Sequence, residues 1–233
     1  MTHISEPIAD RLAAVRARLA AACRAAGRDA AGVRLVAVGK TFGADALVRA
    51  ADAGQRDFGE NYLQEALPKI AALRAARADL VWHFIGPIQG NKTADIAAHF
   101  DWVHGVERER IARRLSAQRP AGAPPLQVCV QVNISGEQSK SGIAPAGAPA
   151  LCHAVAALPG LKLRGLMAIP APARAGADPR AAYRVLRELF EALRRDGFDL
   201  DTLSAGMSDD LEAAIAEGAT LVRIGTAIFG TRT

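Results

Sequence analysis

Residues 35–41 read Leu35-Val36-Ala37-Val38-Gly39-Lys40-Thr41: four apolar residues, a glycine, and the first of five lysines in the chain. The apolar run predicts a short strand, and the stretch 45–53 that follows has helical spacing. The same strand-then-helix reading recurs to the end of the chain. Further strand-like runs are Phe58 with its neighbours, Val81–Ile85, Trp102–Val103, Leu126–Val132, Leu161–Ile169, Thr202–Leu203 and Leu221–Ile224. Helical stretches separate them at 63–76, 92–98, 107–117, 149–157, 181–195 and 209–217. One more helix, 8–26, precedes the first strand, with Leu12, Val15 and Leu19 on one face and Gly27 as its stop.

Eight strands alternating with helices predict an α/β chain with parallel strands. The length of 233 residues suits a compact (β/α)8 TIM barrel, for which about 250 residues is typical. A doubly wound open sheet shows the same alternation, and counting strands does not separate the two. The Pro-, Ala- and Gly-rich segments 120–125, 144–149 and 170–179 interrupt no unit of the alternation. They are read as connections, and a single domain over 1–233 is expected.

Composition narrows the function. Half the residues are apolar and the net charge is +5, which suits a folded chain with a substantial core. Arginine outnumbers lysine 24 to 5, and the arginines are scattered along amphipathic stretches (Arg11, Arg16, Arg18, Arg24). A nucleic-acid surface would gather them into a stripe, so no nucleic-acid partner is expected. No apolar run approaches the roughly 20 residues of a membrane span, and residues 1–10 lack the pattern of a signal peptide. Cys23, Cys129 and Cys152 are odd in number and widely spaced, as for free thiols in a reducing cytoplasm.

Three segments carry chemistry. In a barrel, Lys40 would stand at the C-terminal mouth, where active sites lie. A deprotonated lysine condenses with an aldehyde, and arginine does not. Gly39-Lys40-Thr41 is not the end of a P-loop, because Arg34 occupies the position of the first glycine. The second segment, Leu203-Ser204-Ala205-Gly206-Met207-Ser208-Asp209-Asp210, joins strand seven to a helix. It offers free amides and the Ser208 hydroxyl to an anion, or else Ser208 caps the helix. Asp209 and Asp210 are expected to point outward. The third, Val222-Arg223-Ile224-Gly225-Thr226, places the amides of Gly225 and Thr226 after strand eight. Barrels build phosphate sites from the loops after strands seven and eight, and strand eight closes beside strand one. A lysine beside a phosphate cradle is what pyridoxal phosphate requires.

The remaining histidines, tryptophans, glutamates and lysines suit plain structural roles at least as well as chemical ones. His3, His83, His99, His104 and His153 show no metal-ligand spacing and are expected to be packing or surface residues. Trp82 and Trp102 read as core. Glu60 and Glu65 flank Asn61, where starting a helix and acid–base chemistry are equally open. Lys69 and Lys162 read as ordinary, and Lys92 carries no assigned role.

With these residues in view, the chain resembles the pyridoxal phosphate homeostasis proteins, single-domain relatives of the alanine racemase N-terminal barrel. The resemblance runs through VAVGKT (36–41), FGENYLQEA (58–66), WHFIGPIQGNK (82–92), VNISGEQSKSG (132–142), GLMAI (165–169), GMSDDLEAAI (206–215) and VRIGTAIFG (222–230). It implies that Lys40 carries pyridoxal 5'-phosphate as an internal aldimine, and that Ser208 with the amides of Gly225 and Thr226 holds the phosphate. It also implies that Arg223 faces the pyridine nitrogen, a permanent cation that disfavours ring protonation. Asn61, Met167 and Lys140 are implied to line the pocket.

Departures from the racemases shape the expected function. Ile169 stands where they place a histidine, and no second domain follows strand eight to supply a catalytic tyrosine; the tyrosines here are Tyr62 and Tyr183. The resemblance therefore implies a monomeric protein that buffers or delivers the cofactor, with PLP-dependent apoenzymes as recipients, rather than a two-base racemase. The alternative is a PLP-dependent amino-acid enzyme of racemase or decarboxylase type, and a Schiff-base sugar-phosphate aldolase ranks third.

Overall fold

A computed structural model describes residues 6–137, 141–171 and 178–230. Helix α1 (Ile8–Ala25) leads into strand β1 (Arg34–Val38), and strands and helices alternate from there. The order is α2 (Ala44–Asp52), β2 (Asp57–Glu60), α3 (Leu63–Arg74), β3 (Val81–Phe84), α4 (Thr93–His99), β4 (Trp102–Val106) and α5 (Glu109–Gln118). It continues with β5 (Leu126–Gln131), α6 (Ala148–Ala156), β6 (Leu161–Met167), α7 (Ala181–Arg195), β7 (Thr202–Ser204), α8 (Leu211–Ala216), β8 (Leu221–Ile224) and the short α9 (Thr226–Phe229).

The eight strands form a closed, wholly parallel barrel in sequence order. The seam pairs β1 with β8, Val36 opposite Arg223 and Ala37 opposite Ile224. That closure decides between the two sheet architectures, because an open sheet would leave β1 and β8 as edges. All eight predicted strands are present. Helix α9 was not anticipated: four residues are too few to show a helical period.

Between barrel and helices, Leu47, Phe58, Ile70, Ile96, Leu115, Leu126 and Leu186 are sealed from solvent. Helix α1 packs on α8, α9 and α2. The barrel interior is unusually polar. Glu60, His83, His104, Ser204 and Arg223 are buried there beside a small cluster of Trp102, Cys129 and Met167. Glycine permits the tightest strand contact: a Cβ on Gly165 would lie 1.8 Å from the Thr202 carbonyl oxygen. Among the described residues, no helix is long and apolar enough to cross a membrane.

Candidate active site

Lys40 lies just past Gly39, which follows the end of β1, and is exposed at the C-terminal mouth of the barrel. Its neighbours on the chain are held firmly. Lys69 Nζ donates to the Gly39 carbonyl at 2.8 Å, and Glu65 Oε2 accepts from the Thr41 amide at 2.7 Å. Thr41 has φ 69°, the one non-glycine residue with positive φ among those described. A β-branched residue enters this region only when its surroundings impose it, and the Glu65 bond does so. Both clamps come from α3, one turn apart on the same face.

Lys69 is therefore not the ordinary surface lysine its sequence context suggested. It is buried and also donates to Glu60 Oε1 at 2.8 Å, with Glu60 fully sealed. Burial pushes the Glu60 carboxyl up to about 7, opposed by Lys69. Glu60 Oε2 and the side-chain oxygen of Asn61 are buried without hydrogen-bond partners among the described residues. Glu65 stands in the first turn of α3 and from there holds the Lys40 turn, whereas Glu60 ends β2 and is buried beneath Gly39. A Cβ on Gly39 would lie 2.9 Å from Glu60 Oε1.

The β7–α8 and β8–α9 loops stand beside Lys40. The Arg223 amide donates to the Gly206 carbonyl at 3.0 Å, joining the loop of Ser208 to β8. A Cβ on Gly225 would lie 3.2 Å from the Val38 carbonyl, so β8 ends tight against β1. Ser208 is half-buried, and its hydroxyl has no hydrogen-bond partner among the described residues. It does not cap α8: the N-cap is Asp210, which makes no side-chain cap bond. Arg18 of α1 ties the loop down, donating to the Ser208 carbonyl at 2.7 Å and pairing with both Glu212 oxygens. Thr226 and Ala227 open α9, where the first amides have no intrahelical acceptor.

Asp209 is exposed as expected, but Asp210 turns inward. It accepts from the Met207 amide and from the Tyr183 hydroxyl, each at 2.5 Å. The inward turn pairs the hydroxyl of the buried Tyr183, which would otherwise be left without an acceptor. Burial and this carboxylate push the Tyr183 phenol up.

Arg223 lies inside the barrel, donating to Ser204 Oγ at 2.5 Å and to the Ala168 carbonyl at 3.0 Å. Burial lowers it to about 10, still a cation at neutral pH. Met167 is sealed against Trp102 and Cys129, beneath the mouth rather than on its surface. Lys140 lies outside the described residues. The structure thus gathers Lys40, Asn61, Ser208, Arg223, Gly225 and Thr226 at one end of the barrel.

Sequence reading missed Glu65 and Lys69 as clamps; His83 and His104 are packed residues, one of the two roles expected for them, but their hydrogen bonds to each other, Asp57 and Ser204 were not read. The signal for the histidines was present: each stands inside a strand among residues that are otherwise apolar. Nothing in the one-dimensional pattern marks the clamps, because their partners are main-chain atoms 24 to 30 residues away.

Comparison with known proteins places this geometry. Residues 11–233 match the family model of the alanine racemase N-terminal domain, a class of barrels to which the fold conforms. Among longer members, alanine racemase from Corynebacterium glutamicum superposes with a TM-score of 0.64 at 18% identity, over 93% of this chain but 60% of its own. The pyridoxal phosphate homeostasis proteins of Pseudomonas aeruginosa and Escherichia coli K12 are 63% and 53% identical, over 97% of this chain and 96% and 97% of theirs. The chain belongs to the pyridoxal phosphate homeostasis protein family. PipY of Synechococcus elongatus, solved with PLP bound, superposes with a TM-score of 0.83 at 35% identity, over 96% of this chain and 100% of its own.

Proposed function

We propose that this protein binds pyridoxal 5'-phosphate at the C-terminal mouth of the barrel and buffers or delivers it without turning over a substrate. The observation that carries the reading is the fixed turn at Lys40, an exposed amine whose flanking peptides are both clamped. When bound, the cofactor supplies an aldehyde, a pyridine ring and a phosphate dianion. The residues at the mouth fit each part. Lys40 is the amine that would hold the aldehyde. The Ser208 hydroxyl, with the amides of Gly225 and Thr226, suits the phosphate. Arg223 would face the ring nitrogen as a fixed cation and oppose its protonation. Asn61 brings a buried, unpartnered oxygen to the same end of the barrel, and Lys140 and Met167 complete the proposed lining.

The carrier reading is supported over an enzymatic one by Tyr183. Its hydroxyl is committed to Asp210, so it is not available as a second base. The same reading takes the protein as a single-domain, cytoplasmic monomer whose recipients are PLP-dependent apoenzymes.

Purified protein should be yellow, and Lys40→Ala should lose the chromophore while keeping its fold. The same chromophore in that variant would overturn the Lys40 assignment. Mixing holoprotein with an apoenzyme, in the presence of a scavenger of free cofactor, should still activate the apoenzyme. Sustained entry of solvent deuterium at the α-carbon of an added amino acid would instead establish an enzyme.

A further inference from the structure

A chain of side chains crosses the barrel interior beneath the proposed site. Arg223 Nη1 donates to Ser204 Oγ at 2.5 Å. Ser204 Oγ lies 2.8 Å from His104 Nδ1, His104 Nε2 lies 3.0 Å from His83 Nδ1, and His83 Nε2 lies 3.0 Å from Asp57 Oδ1. The chain draws on β8, β7, β4, β3 and β2 in turn. It ends at the first residue of β2, two strands from β8 across the seam, where Arg34 Nη1 also reaches Asp57 Oδ1 at 3.4 Å. His83, His104, Ser204 and Arg223 are all buried.

The bonding capacities leave one consistent arrangement. The Asp57 carboxylate only accepts, so His83 donates from Nε2. A neutral His83 then accepts at Nδ1, so His104 donates from Nε2 and accepts at Nδ1. Ser204 must supply that proton, which leaves its oxygen to accept from Arg223. Every donor points the same way, from the arginine cation to the aspartate anion. The surroundings favour neutral rings: burial lowers both histidines, and Arg34 from β1 and Arg223 from β8 oppose a further positive charge. Asp57 and Asp101 pull His83 the other way without overcoming burial. Trp102 stacks on His83 at 5.5 Å between ring centres, fixing its plane.

We propose that Asp57, His83, His104 and Ser204 are positioning residues for Arg223, a one-way hydrogen-bond relay that holds the guanidinium where it would face the cofactor's ring nitrogen. This rests on the reading that Arg223 faces the ring nitrogen. Arg223 is a long side chain with many rotamers, and a buried guanidinium held only by the Ala168 carbonyl would keep rotational freedom. Ser204 supplies the second contact, and the histidines keep the Ser204 lone pair turned toward Arg223. The role belongs to the whole chain, because removing a middle member frees the Ser204 hydroxyl to rotate and turn its lone pair away from Arg223.

The test has two arms. In the cofactor-free protein, long-range 15N–1H NMR should find His83 and His104 neutral at pH 7, both protonated on Nε2. A charged ring, or a proton on Nδ1 of His104, overturns the relay. In holoprotein, the cofactor release rate and the pH profile of its visible absorbance are compared for Ser204→Ala, Ser204→Thr, His104→Asn and Arg223→Gln. Ser204→Ala and His104→Asn should release cofactor about tenfold faster, as expected for one charge-assisted hydrogen bond. They should shift the absorbance profile in the direction of Arg223→Gln, and Ser204→Thr should restore both. If Arg223→Gln changes both readouts while Ser204→Ala and His104→Asn change neither, the relay is overturned and the ring-facing reading stands. If Arg223→Gln changes neither, the ring-facing reading fails and the relay's role toward the cofactor falls with it.

Discussion

Glu65 and Lys69, one turn apart on α3, grip the main chain on both sides of Lys40, Glu65 at the Thr41 amide and Lys69 at the Gly39 carbonyl. A single helix face therefore sets the direction in which the exposed lysine leaves the barrel. The grip has an energetic condition, since Lys69 is held in the interior by Glu60.

Lys69→Met tests that condition. Removing one partner of a buried ion pair costs about 3–5 kcal/mol when the other charge is left alone. Because burial already holds the Glu60 carboxyl up to about 7, the orphaned group can escape by taking a proton. The loss of stability should be largest above pH 8 and smaller at pH 6, as read from denaturant midpoints. An equal loss at both pH values would show that Glu60 is not the group responding.

Acid sensitivity follows from the same interior groups. Burial lowers His83 and His104 below the usual 6.5, so the unfolded chain binds more protons than the folded one at acid pH. Their contribution is complete above pH 6.5 and is lost as pH falls below it, by about 1.4 kcal/mol per pH unit for each ring. Glu60 has the opposite sign: raised from 4.5 to about 7, it favours the fold at low pH and loses that contribution as pH rises through 7. Between pH 5 and 6.5 the stability slope should therefore become shallower in His104→Asn and steeper in Glu60→Gln. Urea midpoints at half-unit pH intervals would measure both.

Two glycines test how closely the mouth is built. Gly225→Ala puts a methyl 3.2 Å from the Val38 carbonyl, and Gly86→Ala puts one 2.1 Å from the Asn61 carbonyl. Overpacking of this kind costs about 1–3 kcal/mol, and Gly86→Ala should be the more damaging because backbone must move. Gly225→Ala should weaken cofactor retention more than it lowers the melting temperature, because the displaced segment carries the proposed phosphate amides.

All three cysteines are buried and free, and burial pushes Cys129 and Cys152 up to about 12. Thiolate, not thiol, is the reactive form. A colorimetric thiol reagent should titrate none of them rapidly in the native protein and all three after denaturation. Rapid native labelling would show that the packing around the labelled cysteine opens readily.

Much of this molecule was already written in its order of residues. Local patterns carried the eight strands, most of them short apolar runs bounded by turn residues, and they carried the positions of Lys40, Ser208, Arg223 and Gly225, because strand ends and strand–helix loops are legible in one dimension. Closure of the barrel was a matter of tertiary structure: β1 and β8 are nearly 190 residues apart in the chain, and their pairing depends on the summed twist of the sheet. So were the roles of Lys69, which reads as an ordinary lysine until α3 folds over Gly39, and of Asp210, drawn inward by a tyrosine 27 residues away. The same holds for His83 and His104, whose hydrogen bonds exist only once five strands share an interior. Sequence determines what each residue can donate, accept or bury. Long-range packing decides which partner is within reach, and a buried polar group takes its role from that partner.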